Sequence, residues 1–252
     1  MSLPLFGPEG RDALEQFLRA SPLLAFDFDG TLAPIRRDRE RALMRERTQL
    51  LLALVARAYP CVVVTGRLEA DVRRRLRGVP LAGIAGNHGI EDGHNGDDYA
   101  ELVQRWLRGL RQELRGQQGV ELEDKRLSLS IHYRNARDVR GAGRKVRRAA
   151  GQLAEARLIP GKRVVNVLPL GAPDKADAVA RFARRIRCDH VIFLGDDVND
   201  ETVFSIRTLP LLGIRVGRSV RSAARFHLRD QGEVDAFLDH LLDARRATLP
   251  AL

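Results

Sequence analysis

The sequence predicts an α/β fold, in which a Rossmann-like parallel-sheet core carries an inserted α+β cap domain. Short, nearly continuous apolar runs alternate with helix-like stretches towards both ends of the chain, which is typical of a parallel sheet covered on both faces. The middle of the chain instead contains a run in which apolar and polar residues alternate, as in a half-exposed strand. Polar motifs follow three of the apolar runs, at the strand ends where open α/β sheets bind ligands.

The core sheet is predicted from five apolar runs, at residues 23–28, 61–64, 81–85, 190–194 and 211–216. Helical patterns lie between or after these runs, at residues 40–58, 68–77, 174–187 and 201–207. The third of these helices has start signals, because Asp174 can cap its N-terminus and Asp177 places an acid in its first turn. We therefore assign residues 1–92 and 170–252 to one core domain.

Residues 93–169 are the predicted cap domain, which begins after a polar stretch at residues 91–98. We expect helices at residues 99–115 and 136–154, and strands at residues 120–124, 127–133 and 163–168. Leu and Ser alternate in residues 127–130, which predicts a half-exposed strand. Residues 169–173, with Pro at both ends, are the expected return linker.

The chain of 252 residues carries a formal net charge of +10, and its basic residues are scattered. We interpret the densest groups, at residues 73–75 and 144–148, as solvated helix faces. Only three Tyr and one Trp are available for stacking on bases, which argues against nucleic acid as a partner. We expect a monomer whose arginine-rich surface is mostly solvated.

Cys61 and Cys188 each begin an apolar run, so we expect buried free thiols in a reducing compartment. The N-terminal residues lack the pattern of a signal peptide. The longest apolar stretch, at residues 50–56, is too short to cross a bilayer. These features predict a cytoplasmic chain with no membrane partner.

Two acids, Asp27 and Asp29, end the first predicted strand. Side chains two residues apart on a strand point to the same side, so these carboxylates would repel each other unless a cation lies between them. Asp196 and Asp200 follow the strand at residues 190–194 and would join the same edge. Mg²⁺ is the usual cation where carboxylates meet a phosphate, so we predict a magnesium site. Asp200, or its neighbour Asn199, could instead only cap the helix that follows.

Two further features could bind an anion. Thr65, Gly66 and Arg67 lie between a strand and a helix, where backbone N–H groups can bind a phosphate, although a plain turn explains them equally well. Lys175 lies in the first turn of a predicted helix, where its charge opposes the helix dipole. It is either a solvated lysine or a cation held beside a phosphate and the clustered acids.

Together these groups suit phosphoryl transfer. One carboxylate would attack phosphorus to form an aspartyl phosphate, and the other would pass a proton to the leaving oxygen and later activate water. Mg²⁺, a lysine and backbone amides would stabilise the charge on the phosphoryl oxygens.

The order and strand-end placement of these motifs resemble those of the haloacid dehalogenase superfamily of phosphohydrolases. The matching positions are residues 27–32, Thr65, Lys175 and residues 195–200. The resemblance implies that Asp27 is the nucleophile and Asp29 the general acid/base, and that Thr65, Gly66 and Lys175 bind the phosphate. It also implies that Mg²⁺ is bound by the acids Asp27 and Asp196, by the backbone carbonyl of Asp29, and by Asp200 as a supporting acid.

A narrower resemblance, to the trehalose-6-phosphate phosphatase family, is carried by residues 27–35, 86–89, 123–125, 131–134 and 195–201. In that family the inserted domain is a lid whose acids and lysine bind the disaccharide, and Glu123 and Lys125 match two of these positions. The third position, a Glu in that family, is Asn166 here, and the fourth motif has Asn199 where the family usually has Thr. The resemblance implies a substrate site formed by Arg67, Asn87, His88, Glu123, Lys125, His132, Arg134 and Asn166.

Alternatives remain open at several points. Lys125 and Arg126 could be a hairpin turn, and His132 could pack on an apolar face. The substrate implied is a phosphorylated sugar, either trehalose 6-phosphate or another glycosyl phosphate. A mutase with the same nucleophile, or a basic nucleic-acid-binding protein on an inactive phosphatase fold, are the other hypotheses. The large lid disfavours the mutase, and the presence of all four motifs disfavours the inactive fold.

Overall fold

The computed structural model describes residues 2–36, 41–91 and 96–248, which form two compact units. The first unit contains the described residues up to Gly89 and from Asp174 onward, and the second runs from Ile90 to Pro173. The predicted boundary between residues 92 and 93 lies outside the described residues. The predicted return boundary, after residue 169, falls at the end of a strand of the second unit.

The first unit is built on a sheet of seven parallel strands, which confirms the predicted fold class. In chain order these strands are β1 (Leu3–Pro4), β2 (Leu23–Phe26), β3 (Cys61–Val64), β4 (Gly83–Ala85), β9 (Val191–Gly195), β10 (Leu211–Val216) and β11 (Phe226–Leu228). Across the sheet the order is β1-β11-β10-β9-β2-β3-β4. The strands that precede the three polar motifs, β2, β3 and β9, are therefore neighbours.

Helices cover both faces of this sheet. They are α1 (Pro8–Arg19), α2 (Glu46–Ala58), α3 (Glu69–Arg75), α6 (Lys175–Ile186), α7 (Glu201–Phe204) and α8 (Glu233–Thr248). Every residue of β2, β3 and β9 is buried, as expected for strands covered on both sides. Phe26 packs in a cluster that includes residues of α1, α2 and α8, whereas Ala25 packs in a second cluster with residues of α6.

The second unit has a four-stranded antiparallel sheet with two helices packed on one face. Its elements are α4 (Gly96–Glu113), β5 (Glu121–Asp124), β6 (Leu129–His132), α5 (Val139–Gly151), β7 (Ala156–Gly161) and β8 (Val164–Pro169), with the strand order β5-β6-β8-β7. Leu129 and Ile131 pack against the helices, while Ser130 between them pairs across the strands with Asn166. The alternating pattern therefore correctly predicted a strand with one apolar and one polar face, but the expected half-exposure is wrong, because Ser128 and Ser130 are both fully buried.

Several elements differ from the sequence predictions. β1, α1, β7, β11 and α8 were not predicted at all. The helix predicted at residues 40–58 begins at Glu46, and its first predicted residue lies outside the described ranges. The helix predicted at residues 201–207 ends at Phe204.

Two predictions about exposure fail, each for one residue. Arg73, Arg74 and the basic residues at 144–148 are exposed as expected, but the side chain of Arg75 is buried, where its Nε donates to Asp71 Oδ1 at 3.0 Å and its Nη1 donates to the carbonyl of Ala42 at 3.1 Å. Cys188, which follows the left-handed residue Arg187 at the end of α6, is only half-buried. Cys61 is buried as predicted, and burial raises the pKa of its thiol.

Among the described helices, none combines the length and apolar character needed to cross a membrane.

Candidate active site

The ends of β2, β3 and β9 bring three of the predicted motifs to one edge of the sheet. Asp27 directly follows β2, and its backbone N–H donates to the carbonyl of Leu194 on β9 at 2.8 Å. Thr65 directly follows β3, and its N–H donates to Ala85 on β4 at 2.9 Å. The first residues of these two motifs, Asp27 and Thr65, are therefore still fixed by backbone hydrogen bonds to the neighbouring strands.

Three carboxylates meet at this edge. Asp27, Asp196 and Asp200 are all buried, and each offers an oxygen within 4.8 Å of the oxygens of the other two. Asp27 and Asp196 come from the ends of neighbouring strands, and Asp200 comes from the turn after β9. The structure thus brings together three of the four acids that were predicted to share a cation, and Asp29 is the fourth.

Lys175 lies inside this cluster. Its Nζ is 2.9 Å from Asp27 Oδ1 and 2.8 Å from Asp200 Oδ1, and the residue is only 4% exposed. Asp174 caps the N-terminus of α6 and Asp177 lies in its first turn, as predicted, and the two also form a reciprocal capping box. Lys175 is the first helical residue. The alternative of a solvated lysine is therefore wrong.

Burial and charge act against each other on these groups. Burial raises the pKa of Asp27 well above its usual range; Lys175 opposes this shift, and the carboxylates of Asp200 and Asp196 add to it. Burial alone would lower the pKa of Lys175, but Asp200 and Asp27 outweigh this and raise it. If all three carboxylates are ionised, they exceed the single ammonium of Lys175 by two negative charges in a buried place. Oxygen ligands with this excess charge suit a hard divalent cation such as Mg²⁺.

Two glycines make room for the carboxylates. A Cβ on Gly30, whose φ is +86°, would lie 2.3 Å from Cγ of Asp196. A Cβ on Gly195 would lie 2.4 Å from Cγ of Asp200. Both distances are far below van der Waals contact, so any side chain at these positions would displace the acids.

Asp29 lies apart from the cluster. β2 ends at Phe26, so the expectation that Asp27 and Asp29 share one side of a strand is wrong. The Asp29 carboxylate instead accepts two hydrogen bonds from Arg67, from Nε at 2.7 Å and from Nη2 at 2.9 Å. Its side chain therefore faces a guanidinium rather than the other acids, and metal binding through its backbone carbonyl stays a prediction.

Arg67 is held by a network that the sequence analysis missed. Its Nη1 donates to Asp71 Oδ2 at 2.8 Å, and the same carboxylate accepts from Arg75. Burial would raise the pKa of Asp71, but the hydrogen bonds from Arg75 and Arg67 outweigh it and lower that pKa. Arg67 precedes α3, Asp71 lies within it and Arg75 ends it, and their spacing of four residues was the available signal for this network.

Asn87 and His88 lie directly against the motif at the end of β3. The N–H of Asn87 donates to the carbonyl of Arg67 at 2.6 Å, and that of His88 donates to the carbonyl of Thr65 at 2.8 Å. Both residues have left-handed φ values, of 52° and 61°. A Cβ on Gly66 would lie 2.6 Å from the His88 ring, so glycine is required there. The structure therefore joins these residues into one local assembly.

Asp200 has a capping role as well as its bond to Lys175. Its Oδ2 accepts from the N–H of Asp197 at 2.9 Å, in a reciprocal capping box at the start of the 3₁₀ turn Val198–Asp200. The predicted alternative, that Asp200 only caps the helix that follows, is wrong, because its side chain makes no capping hydrogen bond to α7. Both oxygens of its carboxylate are instead engaged by Lys175 and by the N–H of Asp197.

The remaining predicted substrate residues belong to the second unit. Glu123 Oε2 is 2.7 Å from His132 Nε2 and 4.0 Å from Lys125 Nζ. The alternative of an apolar environment for His132 is therefore wrong, because its ring contacts a carboxylate. Lys125 lies in the turn between β5 and β6, as the alternative of a hairpin turn predicted.

Asn166 and Arg134 have partners within the same unit. Asn166 Oδ1 accepts from the hydroxyl of Ser130 at 2.7 Å. Arg134 Nη2 donates to the carbonyl of Lys162 at 3.2 Å. Glu123, Ser130 and Asn166 are matched across adjacent strands and therefore share one face of the sheet.

The family model described as trehalose-phosphatase matches residues 25–225 of the chain. A trehalose-phosphate phosphatase of Mycobacterium avium is 32% identical over 244 residues, which cover 88% of this chain and 62% of the relative. The chain thus spans less than two thirds of that relative's length. A probable trehalose-phosphate phosphatase D of Arabidopsis thaliana is 25% identical over 273 residues, covering 96% of this chain and 74% of that protein.

Solved structures show the same fold at lower identity. The C-terminal domain of the trehalose-6-phosphate phosphatase of C. albicans superposes with a TM-score of 0.74 and 20% identity, covering 96% of this chain and 98% of that one. A haloacid dehalogenase-like hydrolase from Bacteroides thetaiotaomicron gives a TM-score of 0.63 at 15% identity, covering 87% of this chain and 99% of that one.

Proposed function

The chain belongs to the trehalose-phosphatase family, and on that basis we propose that it hydrolyses trehalose 6-phosphate to trehalose and phosphate, with Mg²⁺ and through an aspartyl phosphate. The observation that carries the proposal is the cluster of Asp27, Asp196 and Asp200 around Lys175 at the strand ends. A buried cluster of acids that holds a lysine is costly for a fold, and phosphoryl transfer is a chemistry that uses it.

In the first half of the reaction, Asp27 is the nucleophile. Its Oδ1 is held by Lys175, so Oδ2 is the oxygen that attacks phosphorus while the bond from phosphorus to the sugar oxygen breaks. Asp29 gives a proton to the departing sugar oxygen. Lys175, the hydroxyl of Thr65 and the backbone of Gly66 bind the phosphoryl oxygens.

In the second half, Asp29 takes a proton from water. The water oxygen attacks phosphorus, the bond to Asp27 breaks, and phosphate leaves with the carboxylate of Asp27 restored. Arg67 holds Asp29 by two hydrogen bonds and so restricts where its carboxylate can move. When bound by Asp27, Asp196 and Asp200, Mg²⁺ would offset the negative charge of the phosphoryl group.

The second unit is proposed to bind the sugar. Glu123, oriented by His132, and Lys125 supply a hydrogen-bond acceptor and a cation suited to sugar hydroxyls. One observation favours a different glycosyl phosphate as the alternative substrate. Asn166 lies where the family has a Glu. Its side-chain oxygen already accepts a hydrogen bond from Ser130, so it has less capacity to accept hydrogen bonds from a sugar than a free carboxylate would.

A phosphate-release screen over phosphorylated mono- and disaccharides tests the proposal. We expect trehalose 6-phosphate to have the highest kcat/KM, and preference for another sugar phosphate would reassign the substrate. Release from no ester, together with retention on DNA that is lost at moderate salt, would instead favour the nucleic-acid-binding hypothesis.

A further inference from the structure

One peptide unit in the loop after β9 is held at both ends. The carbonyl of Asp196 accepts a hydrogen bond from Nη2 of Arg215, and the N–H of Asp197 donates to Asp200 Oδ2 at 2.9 Å. Both groups belong to the peptide that joins Asp196 to Asp197. Because a peptide unit is planar, fixing its two ends fixes its plane and restricts rotation at the Cα of Asp196. The direction of the Asp196 side chain is restricted as a consequence.

Arg215 is itself fixed by its surroundings. It lies on β10, directly beside Gly195 in the strand pairing, and its guanidinium is largely buried. Its Nη1 donates to the carbonyl of Asp197 at 3.3 Å and to Glu201 Oε1 at 2.9 Å. Glu201 Oε2 in turn accepts from the N–H of Ala223 at 2.8 Å. The guanidinium of Arg215, whose N–H groups form a planar fork, therefore holds two successive backbone carbonyls of the loop. Arg215 itself is fixed because it belongs to a paired strand.

The positive charge of Arg215 is not what makes this residue important to the carboxylate cluster. Glu201 pairs with it at hydrogen-bond distance, so the pair adds little net charge near the carboxylate cluster. The two carbonyl contacts depend on the planar fork, which lysine cannot reproduce. Arg215 therefore acts by holding the loop after β9 in position.

We propose that Arg215 is a positioning residue for the metal site, which it serves by fixing the direction of the Asp196 carboxylate. The proposal rests on the Mg²⁺ dependence of the proposed function. Groups behind the metal ligands typically affect metal affinity by about 10- to 100-fold. Mg²⁺ requires near-octahedral geometry, whereas Ca²⁺ accepts variable ligand numbers and distances. A misdirected carboxylate should therefore harm Mg²⁺ binding far more than Ca²⁺ binding.

The test measures the Kd of Mg²⁺ alone and of Ca²⁺ alone by calorimetry, with no substrate present. The variants are Arg215→Met and Arg215→Lys, and the second keeps the charge but loses the fork. Arg207→Met is the matched control, because Arg207 also donates to two carbonyls, those of Phe204 and Ile206, beyond the same loop. Thermal melting of each variant checks that it is folded.

For both Arg215 variants we expect the Kd of Mg²⁺ to rise about 10- to 100-fold, with a much smaller change for Ca²⁺ and none in the control. An unchanged Kd for Mg²⁺, an equal loss for both ions, or failure of both variants to fold would overturn the positioning role. If the unaltered chain does not bind Mg²⁺, the metal dependence of the proposed function fails and this inference fails with it. If the unaltered chain and both variants all bind Mg²⁺ equally well, the positioning role of Arg215 is rejected and the proposed function is unaffected.

Discussion

Replacing Lys175 by Met removes a buried ammonium while keeping a side chain of similar length. The nitrogen lies within 2.9 Å of both Asp27 and Asp200, so its loss leaves two buried carboxylates without their partner. Breaking a buried ion pair costs about 3–5 kcal/mol. At roughly 2–4 °C per kcal/mol for a chain of this size, the melting temperature should fall by roughly 6–20 °C in EDTA.

The assay is thermal melting of the unaltered chain and Lys175→Met, each in EDTA and in Mg²⁺. The variant lacks the ammonium that faces the carboxylates, so Mg²⁺ should raise its melting temperature more than that of the unaltered chain. Lys145→Met is the control, because Lys145 is exposed on α5 and its loss should change stability by less than about 0.5 kcal/mol. A solvated first-turn lysine would cost only a few tenths of a kcal/mol. Melting of Lys175→Met within about 2 °C of the unaltered chain in EDTA would therefore refute the buried charge balance.

Three further outcomes are expected. EDTA should stop phosphate release and Mg²⁺ should restore it, whereas a metal-independent rate would contradict the role given to the carboxylates. Lys125→Ala should reduce kcat/KM for phosphorylated disaccharides far more than for a small phosphate ester, and an equal loss on both would remove the second unit from sugar recognition. Asp71→Asn should lower kcat by about 10- to 100-fold with little change in KM, because Arg67 would no longer be held against Asp29. Glu69→Gln, in the same first turn of α3, is the control for that variant, and equal rates in the two would reject the role of Asp71.

The strands of the central sheet were predictable because burial on both faces leaves a continuous apolar run. β3 and β10 match their predicted bounds, and β9 differs by one residue at each end. β11 was missed because its three residues include His227, which interrupts the apolar run. α8 lies beyond the last motif, where no alternation of strand and helix pointed to it.

Asp27 and Asp196 could be predicted because each follows a strand directly in sequence, and Asp200 because it closes the polar motif after β9. Their partners could not, since contacts between distant segments leave no local pattern. Arg215 and Asp196 meet only because β9 and β10 are paired, and Arg75 resembled a surface residue within a basic run. The position of Asp29 was mispredicted because the chain leaves the strand two residues earlier than its apolar run suggested.

We propose that Asp27 becomes phosphorylated during turnover. The most direct test of this proposal is acid quenching of the chain within one turnover of trehalose 6-phosphate and Mg²⁺, followed by peptide mapping by mass spectrometry. We expect a phosphoryl group on Asp27, and expect Asp27→Asn to stay folded while showing neither the label nor phosphate release. A phosphoryl group on another residue, or steady turnover by Asp27→Asn, would contradict the account.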